Sequence, residues 1–490
     1  MFQEEKLIND PIHGYMTFEK WAVEFIDTNE FQRLRDIKQL GASYYVFPGA
    51  CHNRFEHSLG TAHLAYTLTK KLYEQKGISK QDKDLECVTL AALCHDLGHG
   101  PFSHVFDNEV IPQLGKVLNH EIKWKHENGS EMMLDHLYES LEPPSIDLTT
   151  DDLKFIKALI RGDRTESERS PYLFDIVSNS RNSIDVDKFD YLARDCYYIG
   201  RKSLFDSSRL MKFSYVKDDQ IMYYHKECVN IYEMFHARYF LHKRIYNHRV
   251  TRAINFMIRD ALVKANSKYH FEQIIYDPEK YIKLNDSILY EIEYSDPNCK
   301  ELEDSRNIVK RIRQRKLYKF VNECLIPKDR KGITKGNLNE REIANCGKDL
   351  VEEDIIVDWQ DLNYAKGEKN PVESVKFYKK NFKVIKLKPD EISYLFPKQY
   401  EEKIVRIYSR YPEKIDLIHE AFQKLAKRLD LTINKGFLPG EKVDILDIDQ
   451  NDSDQDSQLF DAVENFGDNQ INANSVENFG DNQIKSNVVQ

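Results

Sequence analysis

The sequence predicts a mainly α fold, with a helical core, a smaller α+β lobe towards the C-terminus and a disordered acidic tail. Three observations predict it. Apolar residues recur at three- and four-residue steps over long stretches, as in Leu85, Val88, Ala91 and Ala92, the period of a helix with one buried face. From Asp354 the texture changes, and Ile355-Ile356-Val357 and Val375-Lys376-Phe377-Tyr378 read as short strands separated by Gly367 and Asn370-Pro371. The last forty residues are rich in Asn, Asp, Gln and Ser and cannot bury enough apolar surface to fold. These changes divide the chain at 1–265, 266–440 and 441–490.

The elements follow in order. Lys6-Leu7-Ile8 suggests a brief strand before the turn-rich Asn9-Asp10-Pro11 and His13-Gly14. Trp21–Leu40 reads as one helix, through Val23, Phe25, Ile26, Phe31, Leu34, Ile37 and Leu40. An aromatic loop, Tyr44-Tyr45-Val46-Phe47-Pro48, leads to His52-Asn53-Arg54-Phe55-Glu56-His57, and a helix follows through Leu59, Leu64, Leu68 and Leu72. Further helices are expected from Trp124-Lys125-His126-Glu127 to about Leu141 and around 151–161, and Ser178–Asp195 carries residues at helical spacing. A weak β pattern at Phe213–His225 precedes a long helix from Val229 to Ala265. Residues 270–330 read as helical and basic, and a last helix runs through about 400–430.

The central stretch is Cys94-His95-Asp96-Leu97-Gly98-His99-Gly100-Pro101-Phe102-Ser103-His104. It closes an apolar helix with histidines and a carboxylate, then breaks it with Gly98, Gly100 and Pro101. Asp96 at the negative end of a helix dipole is poorly explained as decoration. Imidazole and carboxylate together suit a first-row transition metal. His57, alone, reads as a capping or packing histidine; beside His95 and Asp96 it reads as a ligand. Asp187, Tyr191, Arg194 and Asp195 recur at helical spacing on one face, as do Arg238, His242, Tyr246 and Arg249, where guanidinium matches phosphate oxygens.

Charge does not select a partner. The net charge is −10, but the last forty residues hold eight acids against Lys485 alone, so the body is nearly neutral. Eight cysteines include no Cys-x-x-Cys pair, which argues for reduced thiols and against a zinc finger or disulfide frame. With neither a signal peptide nor a transmembrane run, the protein is expected inside the cell, in nucleus or cytoplasm, with no membrane partner. Ala462–Ile471 recurs as Ser475–Ile484, too few copies for a solenoid.

His57, His95-Asp96 and Asp187 have the H…HD…D order of the HD phosphohydrolase superfamily. Lys6–Gly14, Phe31–Phe47, His52–Gly60, Cys94–His104 and Arg181–Asp195 resemble, more closely, the dNTP triphosphohydrolases with SAM and HD domains. The likeness runs from about residue 5 to about 430 and leaves no room for the SAM domain. It implies an HD-domain core at 1–265 with an N-terminal regulatory segment, and a regulatory and oligomerisation lobe at 266–440. The implied reaction converts a dNTP and water to a deoxynucleoside and triphosphate, and so would control the cellular dNTP pool.

The resemblance assigns residues. His57, His95, Asp96 and Asp187 would hold a divalent metal (Fe, Mn or Zn), with Mg accompanying the nucleotide. His104 would be the general acid, oriented by Asp107, with His99, His126 and Glu127 as a supporting relay. Arg54, Lys188, Arg238 and Tyr246 would face the triphosphate. Tyr191 would pack on the sugar, Gln39 and Asp195 would take the 3′-hydroxyl, and Leu40 would touch the base. Asn247 stands where the family usually has Gln. A guanine nucleotide, GTP or dGTP, would be read by Lys6, Leu7, Asp27, Gln32 and Arg35, joined by Arg315 and Lys319 from a neighbouring copy. A second effector, a dNTP, would meet Asn9, Val46, Phe47, Arg209, Lys226, Asn230, His248 and Arg249, with Tyr224 and Arg249 replacing the family's Arg and Lys. These effectors would tie four copies into a tetramer. Two other readings remain: an HD hydrolase acting on monophosphates or cyclic nucleotides, and an assembly that binds single-stranded nucleic acid through the basic helix at 306–319.

Overall fold

The computed structural model describes residues 5–78, 82–141, 144–330 and 332–434; the acidic tail expected at 441–490 lies outside them. Four helices form a row at the centre. Lys83–Cys94 packs against both Thr150–Arg161 and Arg54–Lys76, and Val186–Tyr198 packs on Arg54–Lys76. Every residue from Cys87 to Cys94 is buried, as the apolar pattern requires, and each large apolar side chain there contributes about 1.5–3 kcal/mol by leaving water. Lys83–Cys94 starts at Asp82, whose side chain accepts from the backbone N–H of Asp84. It ends with His95 as its C-cap, so the polar motif begins where the core helix stops. The mainly α expectation holds.

Several expected elements are divided or replaced. Lys6–Asp10 is a strand, and it pairs antiparallel with Gly14–Phe18 in a hairpin. The single helix expected at Trp21–Leu40 is instead Lys20–Ile26, a one-turn helix Asn29–Gln32 and a 3₁₀ turn Arg33–Asp36. Thr28 breaks it: its hydroxyl accepts from the Phe31 N–H at 3.3 Å and starts a new helix. The long helix expected at 229–265 is split into Cys228–Leu241 and Arg249–Tyr269 by the π-turn His242–Tyr246, a device that re-aims side chains at functional sites.

The C-terminal part is more β-rich than its sequence suggested. Lys319–Ile326 and Glu401–Ser409, both read as helical, are strands. With Ile355–Asn363 they form an antiparallel sheet in which Glu401–Ser409 is central, pairing Phe320 with Tyr408 on one side and Trp359 with Val405 on the other. Ile415–Arg428 then covers the sheet through Ile418, Phe422 and Leu425, which join Val405 and Ile407 in a small second core. The weak β pattern at Phe213–His225 is two strands, Ser214–Lys217 and Gln220–Tyr224, paired as a hairpin and extended by Phe377–Tyr378 in parallel.

Candidate active site and metal centre

A cavity of about 860 Å³ opens where the row of helices meets the π-turn. The end of Lys83–Cys94 supplies His95 and Asp96. The first turn of Arg54–Lys76 supplies Arg54 and His57, and the first turn of Val186–Tyr198 supplies Asp187 and Lys188. Helix starts and ends thus bring these polar groups together.

The four expected ligands converge. His57 Nε2 lies 3.3 Å from His95 Nε2 and 3.2 Å from Asp187 Oδ1. Asp96 stands 3.5 Å from His57 and 3.4 Å from His95. Hydrogen bonds fix both ring tautomers. His57 Nδ1 donates to Asp190 Oδ2 at 2.7 Å, and His95 Nδ1 donates to the Ala92 carbonyl at 2.8 Å. In neutral rings the two Nε2 atoms therefore present lone pairs to each other, an arrangement that a shared cation satisfies. Burial opposes the protonated form of His57, yet the carboxylates of Asp187 and Asp190 raise its pKa to about 10. Asp187 is held well below the usual carboxylate range: burial works against this, and bonds to His57 and His95 overcome it. The donor set, geometry and negative field fit a divalent metal with mixed imidazole and carboxylate ligands.

A second cluster flanks the first. His99, His104, Asp107 and His126 bring their polar atoms together. His126 Nδ1 bonds Asp107 Oδ2 at 2.6 Å, whereas His104 Nδ1 stands 3.5 Å from Asp107 Oδ1. The rings of His99 and His126 stack, with centroids 4.0 Å apart. Burial, then the positive charges of Arg54 and His126, hold His99 neutral. Burial also opposes charge on His126, but the bond to Asp107 raises its pKa. The side chain of His104 is 60% exposed, the most open of the three rings that line the cavity. Glu127 lines the same wall.

The residues assigned to substrate also line the cavity: Gln39, Leu40, Arg54, Lys188, Tyr191, Asp195, Arg238, Tyr246 and Asn247. Several already have partners. Arg54 donates to Asp96 Oδ2 at 2.5 Å and to Ser103 Oγ at 2.9 Å, so it also fixes a ligand. Lys188 Nζ lies 3.1 Å from Asp185. Arg238 donates to the Asn363 carbonyl at 2.8 Å, which brings the C-terminal sheet to the cavity rim. Tyr246 donates to Asp195 Oδ2 at 2.5 Å, and His52 Nε2 lies 2.7 Å from Asp195 Oδ1. The Asn247 amide folds back on the His242 carbonyl at 2.9 Å. Gln39 Oε1 is buried with no hydrogen-bond partner.

A smaller cavity of about 340 Å³ lies under the hairpin and is lined by Lys6, Asn9, Asp10, Arg35, Phe55 and Tyr198 among others. Lys6 bonds Asp27 at 2.7 Å, Arg35 bonds Gln32 at 2.7 Å, and the Arg35 guanidinium lies 3.5 Å over the Phe55 ring. Leu7 is exposed and outside the lining. The other effector candidates fall into separate groups. Phe47 meets His248 edge-on at 5.5 Å, Arg249 lies over Phe320, and Arg315 donates to the Tyr45 carbonyl beside Val46. Arg209 and Asn230 both engage Glu227, next to Lys226. Lys319 opens its strand, exposed. In the basic helix Glu303–Arg313, Arg306 is tied to Ser295 and nearby carbonyls, Arg311 to two carbonyls and Arg313 to Glu293.

One residue of the polar stripe turns away. Arg194, read on the ligand-bearing face, is buried against Asp190 and Asp10. Sequence reasoning left Asp190, His52 and Asn363 without roles. Asp190 was legible as the residue three beyond Asp187 on one helix; His52 and Asn363 gave no signal, because their partners lie over a hundred residues away.

The HD domain model matches residues 54–195, and the HD associated region matches 205–380. The chain is 44% identical over 438 residues to the deoxynucleoside triphosphate triphosphohydrolase SAMHD1 homolog of Dictyostelium discoideum, covering 89% of this chain and 83% of that protein. It is 41% identical over 450 residues to the Bos taurus deoxynucleoside triphosphate triphosphohydrolase SAMHD1, covering 83% and 75%. With the Homo sapiens protein of the same name it shares 40% over 455 residues, covering 84% and 71%. By these matches, which span the candidate metal ligands and the histidine cluster, the chain belongs to the HD-domain family of the deoxynucleoside triphosphate triphosphohydrolase SAMHD1.

Proposed function

We propose that this protein hydrolyses deoxynucleoside triphosphates to the deoxynucleoside and inorganic triphosphate. One observation carries the reading: His95, Asp96 and Asp187, with His57 directly behind them, and the rings of His99, His104 and His126 line a cavity that also holds Lys188 and Arg238. The names of the relatives agree with it. Water adds to the α-phosphorus, the bond from that phosphorus to the deoxyribose 5′-oxygen breaks, and the 5′-oxygen takes up a proton. A divalent ion held by His57, His95, Asp96 and Asp187 (iron, manganese or zinc) would supply Lewis acidity there, with magnesium accompanying the nucleotide.

The chain's own residues do the rest. His104 donates the proton from the cavity mouth, and Asp107 stabilises its charged form. His126, His99 and Glu127 keep that carboxylate and its surroundings ordered. Lys188 and Arg238 neutralise charge on the polyphosphate, with Tyr246 beside them and Arg54 serving Asp96 as well. Tyr191 packs on the sugar where a 2′-hydroxyl would stand. Asp195 accepts the 3′-hydroxyl, since a carboxylate has room for more than its two present donors, and Gln39 offers its unpartnered oxygen. Leu40 and Asn247 bound the base.

Regulation follows the same reading. GTP or dGTP seats near Lys6, Asp27, Gln32 and Arg35, a dNTP seats near Val46, Phe47, His248 and Arg249, and the two assemble four copies through the lobe at 266–440. The enzyme then tunes the dNTP pool of the nucleus or cytoplasm. Among the described residues no helix is long and apolar enough to cross a membrane. The engaged arginines of Glu303–Arg313 lend no support to single-stranded nucleic acid as the main ligand. The test is turnover of dATP with and without GTP, resolved by anion exchange. Hydrolysis only with GTP is expected; full activity without any guanine nucleotide would refute the effector assignment.

A further inference from the structure

The N-terminal hairpin reaches the metal centre through an unbroken line of buried charges. Asp10 ends the first strand, and its Oδ1 accepts from the backbone N–H of Ile12 and of His13, both at 2.9 Å. Its Oδ2 accepts from Arg194 Nη1 at 2.8 Å. Arg194 turns its Nε and Nη2 onto the two oxygens of Asp190, each at 2.9 Å. Asp190 accepts from His57 Nδ1 at 2.7 Å. A second link comes from the turn itself, where His13 Nε2 lies 2.7 Å from Asp190 Oδ1. Arg194 and Asp190 are both 0% exposed.

Gly60 makes room for this line. A Cβ there would stand 1.9 Å from Asp190 Oδ1 and 2.6 Å from Arg194 Nη2. Only a bare Cα lets the pair lie against the helix Arg54–Lys76. The motifs Lys6–Gly14, His52–Gly60 and Arg181–Asp195 each contribute a member, and Asp10, His13, Gly60, Asp190 and Arg194 have no place in the reaction as derived above.

A buried ion pair can serve the fold alone. This one does more, because its fork grips the carboxylate that sets the tautomer of His57, whose other nitrogen points at Asp187 and His95. Partners behind a metal-binding histidine govern its affinity for the ion. We propose that Asp10, His13 and Arg194 are positioning residues of the metal centre: acting through Asp190, they hold His57 with Nε2 presented as a ligand. The proposal rests on the ligand assignment above.

The test uses the full chain and cobalt(II) alone, whose visible spectrum reports ligand geometry. Wild type is expected to bind one equivalent. Asp10→Asn keeps an acceptor for the turn but loses the charge facing Arg194; Arg194→Lys keeps the charge but loses the fork; Gly60→Ala pushes on the pair. Each is expected to weaken cobalt binding by about 10–100-fold and to alter the spectrum, with a far-UV circular dichroism spectrum like that of wild type. Affinities within twofold of wild type and an unchanged spectrum overturn the proposal. So does a loss of binding found only in variants that have also unfolded, since the pair would then serve the fold. Failure of wild type itself to bind cobalt would remove the ligand assignment, and the proposal with it.

Discussion

His126 Nδ1 donates to Asp107 Oδ2 at 2.6 Å, the closest contact in the histidine cluster, and it makes Asp107 the anchor of the proton-handling wall. His104 sits 3.5 Å from the other oxygen of the same carboxylate, an oxygen that is buried and without a hydrogen-bond partner. One short bond therefore holds Asp107 still and leaves its second oxygen facing His104, the proton donor proposed above. Asp107→Asn should lower kcat by about 10²–10⁴-fold, the usual share of a general acid, without changing the products. A kcat within twofold of wild type would remove Asp107 and His104 from the mechanism.

The same pair sets a pH dependence. Asp107 is held well below its ordinary 3.8: burial opposes this, and His104 and His126 overcome it. Its contribution to stability is present above pH 3.8 and lost as the pH falls below. His126 is raised above its ordinary 6.5, so its contribution is complete below pH 6.5 and is lost as the pH rises through the raised value. The stability gap between wild type and Asp107→Asn is therefore greatest between about pH 4 and 6.5, at about 1.5–3 kcal/mol for a charged hydrogen bond, and narrows above. Thermal melts of both proteins from pH 5 to 9 measure it; a gap that widens with pH contradicts the pairing.

Gly98 should tolerate no side chain. A Cβ there would lie 2.0 Å from the His126 carbonyl oxygen and 2.1 Å from the Ser130 nitrogen. These are backbone atoms of the facing helix His126–Ser140, and they cannot rotate aside. Gly98→Ala is expected to cost about 3 kcal/mol and to separate the two halves of the site. Denaturant melts decide this: a loss below 1 kcal/mol would mean the two segments part easily.

Removal of ligands should end turnover. In the double variant His95→Ala with Asp96→Ala, the helix Lys83–Cys94 keeps its buried face, so most helical signal should survive. Arg54 loses its 2.5 Å partner, and stability falls by about 3–5 kcal/mol as a buried charge is left unpaired. Activity per folded molecule should be undetectable. Residual activity within tenfold of wild type, ~1.4 kcal/mol in barrier, would mean that the ligands are elsewhere.

Local pattern made part of this legible. Leu85, Val88, Ala91 and Ala92 announced the buried helix, Gly98 and Pro101 its end, and the histidines and aspartate at that end the chemistry. The H…HD…D order and the longer motifs then brought Asp187 and the cavity residues through family likeness. What escaped depends on partners distant in sequence. Glu401–Ser409, the central strand between Lys319–Ile326 and Ile355–Asn363, read as helix because it opens on Glu401-Glu402-Lys403 and its apolar Ile404, Val405, Ile407 and Tyr408 fall at one-, three- and four-residue steps. Thr28 divided a helix with one hydroxyl hydrogen bond. Arg194 followed helical spacing but was drawn to Asp10, 184 residues away. His52 was invisible as a support for Asp195 until the fold brought them to 2.7 Å.

The measurement that bears most directly on the central claim is hydrolysis of a dNTP in ¹⁸O-labelled water, with the products separated and weighed by mass spectrometry. Attack at the α-phosphorus with release of the 5′-oxygen predicts one labelled oxygen in inorganic triphosphate and none in the deoxynucleoside. Label in the deoxynucleoside, or the appearance of pyrophosphate with a deoxynucleoside monophosphate, would contradict the account.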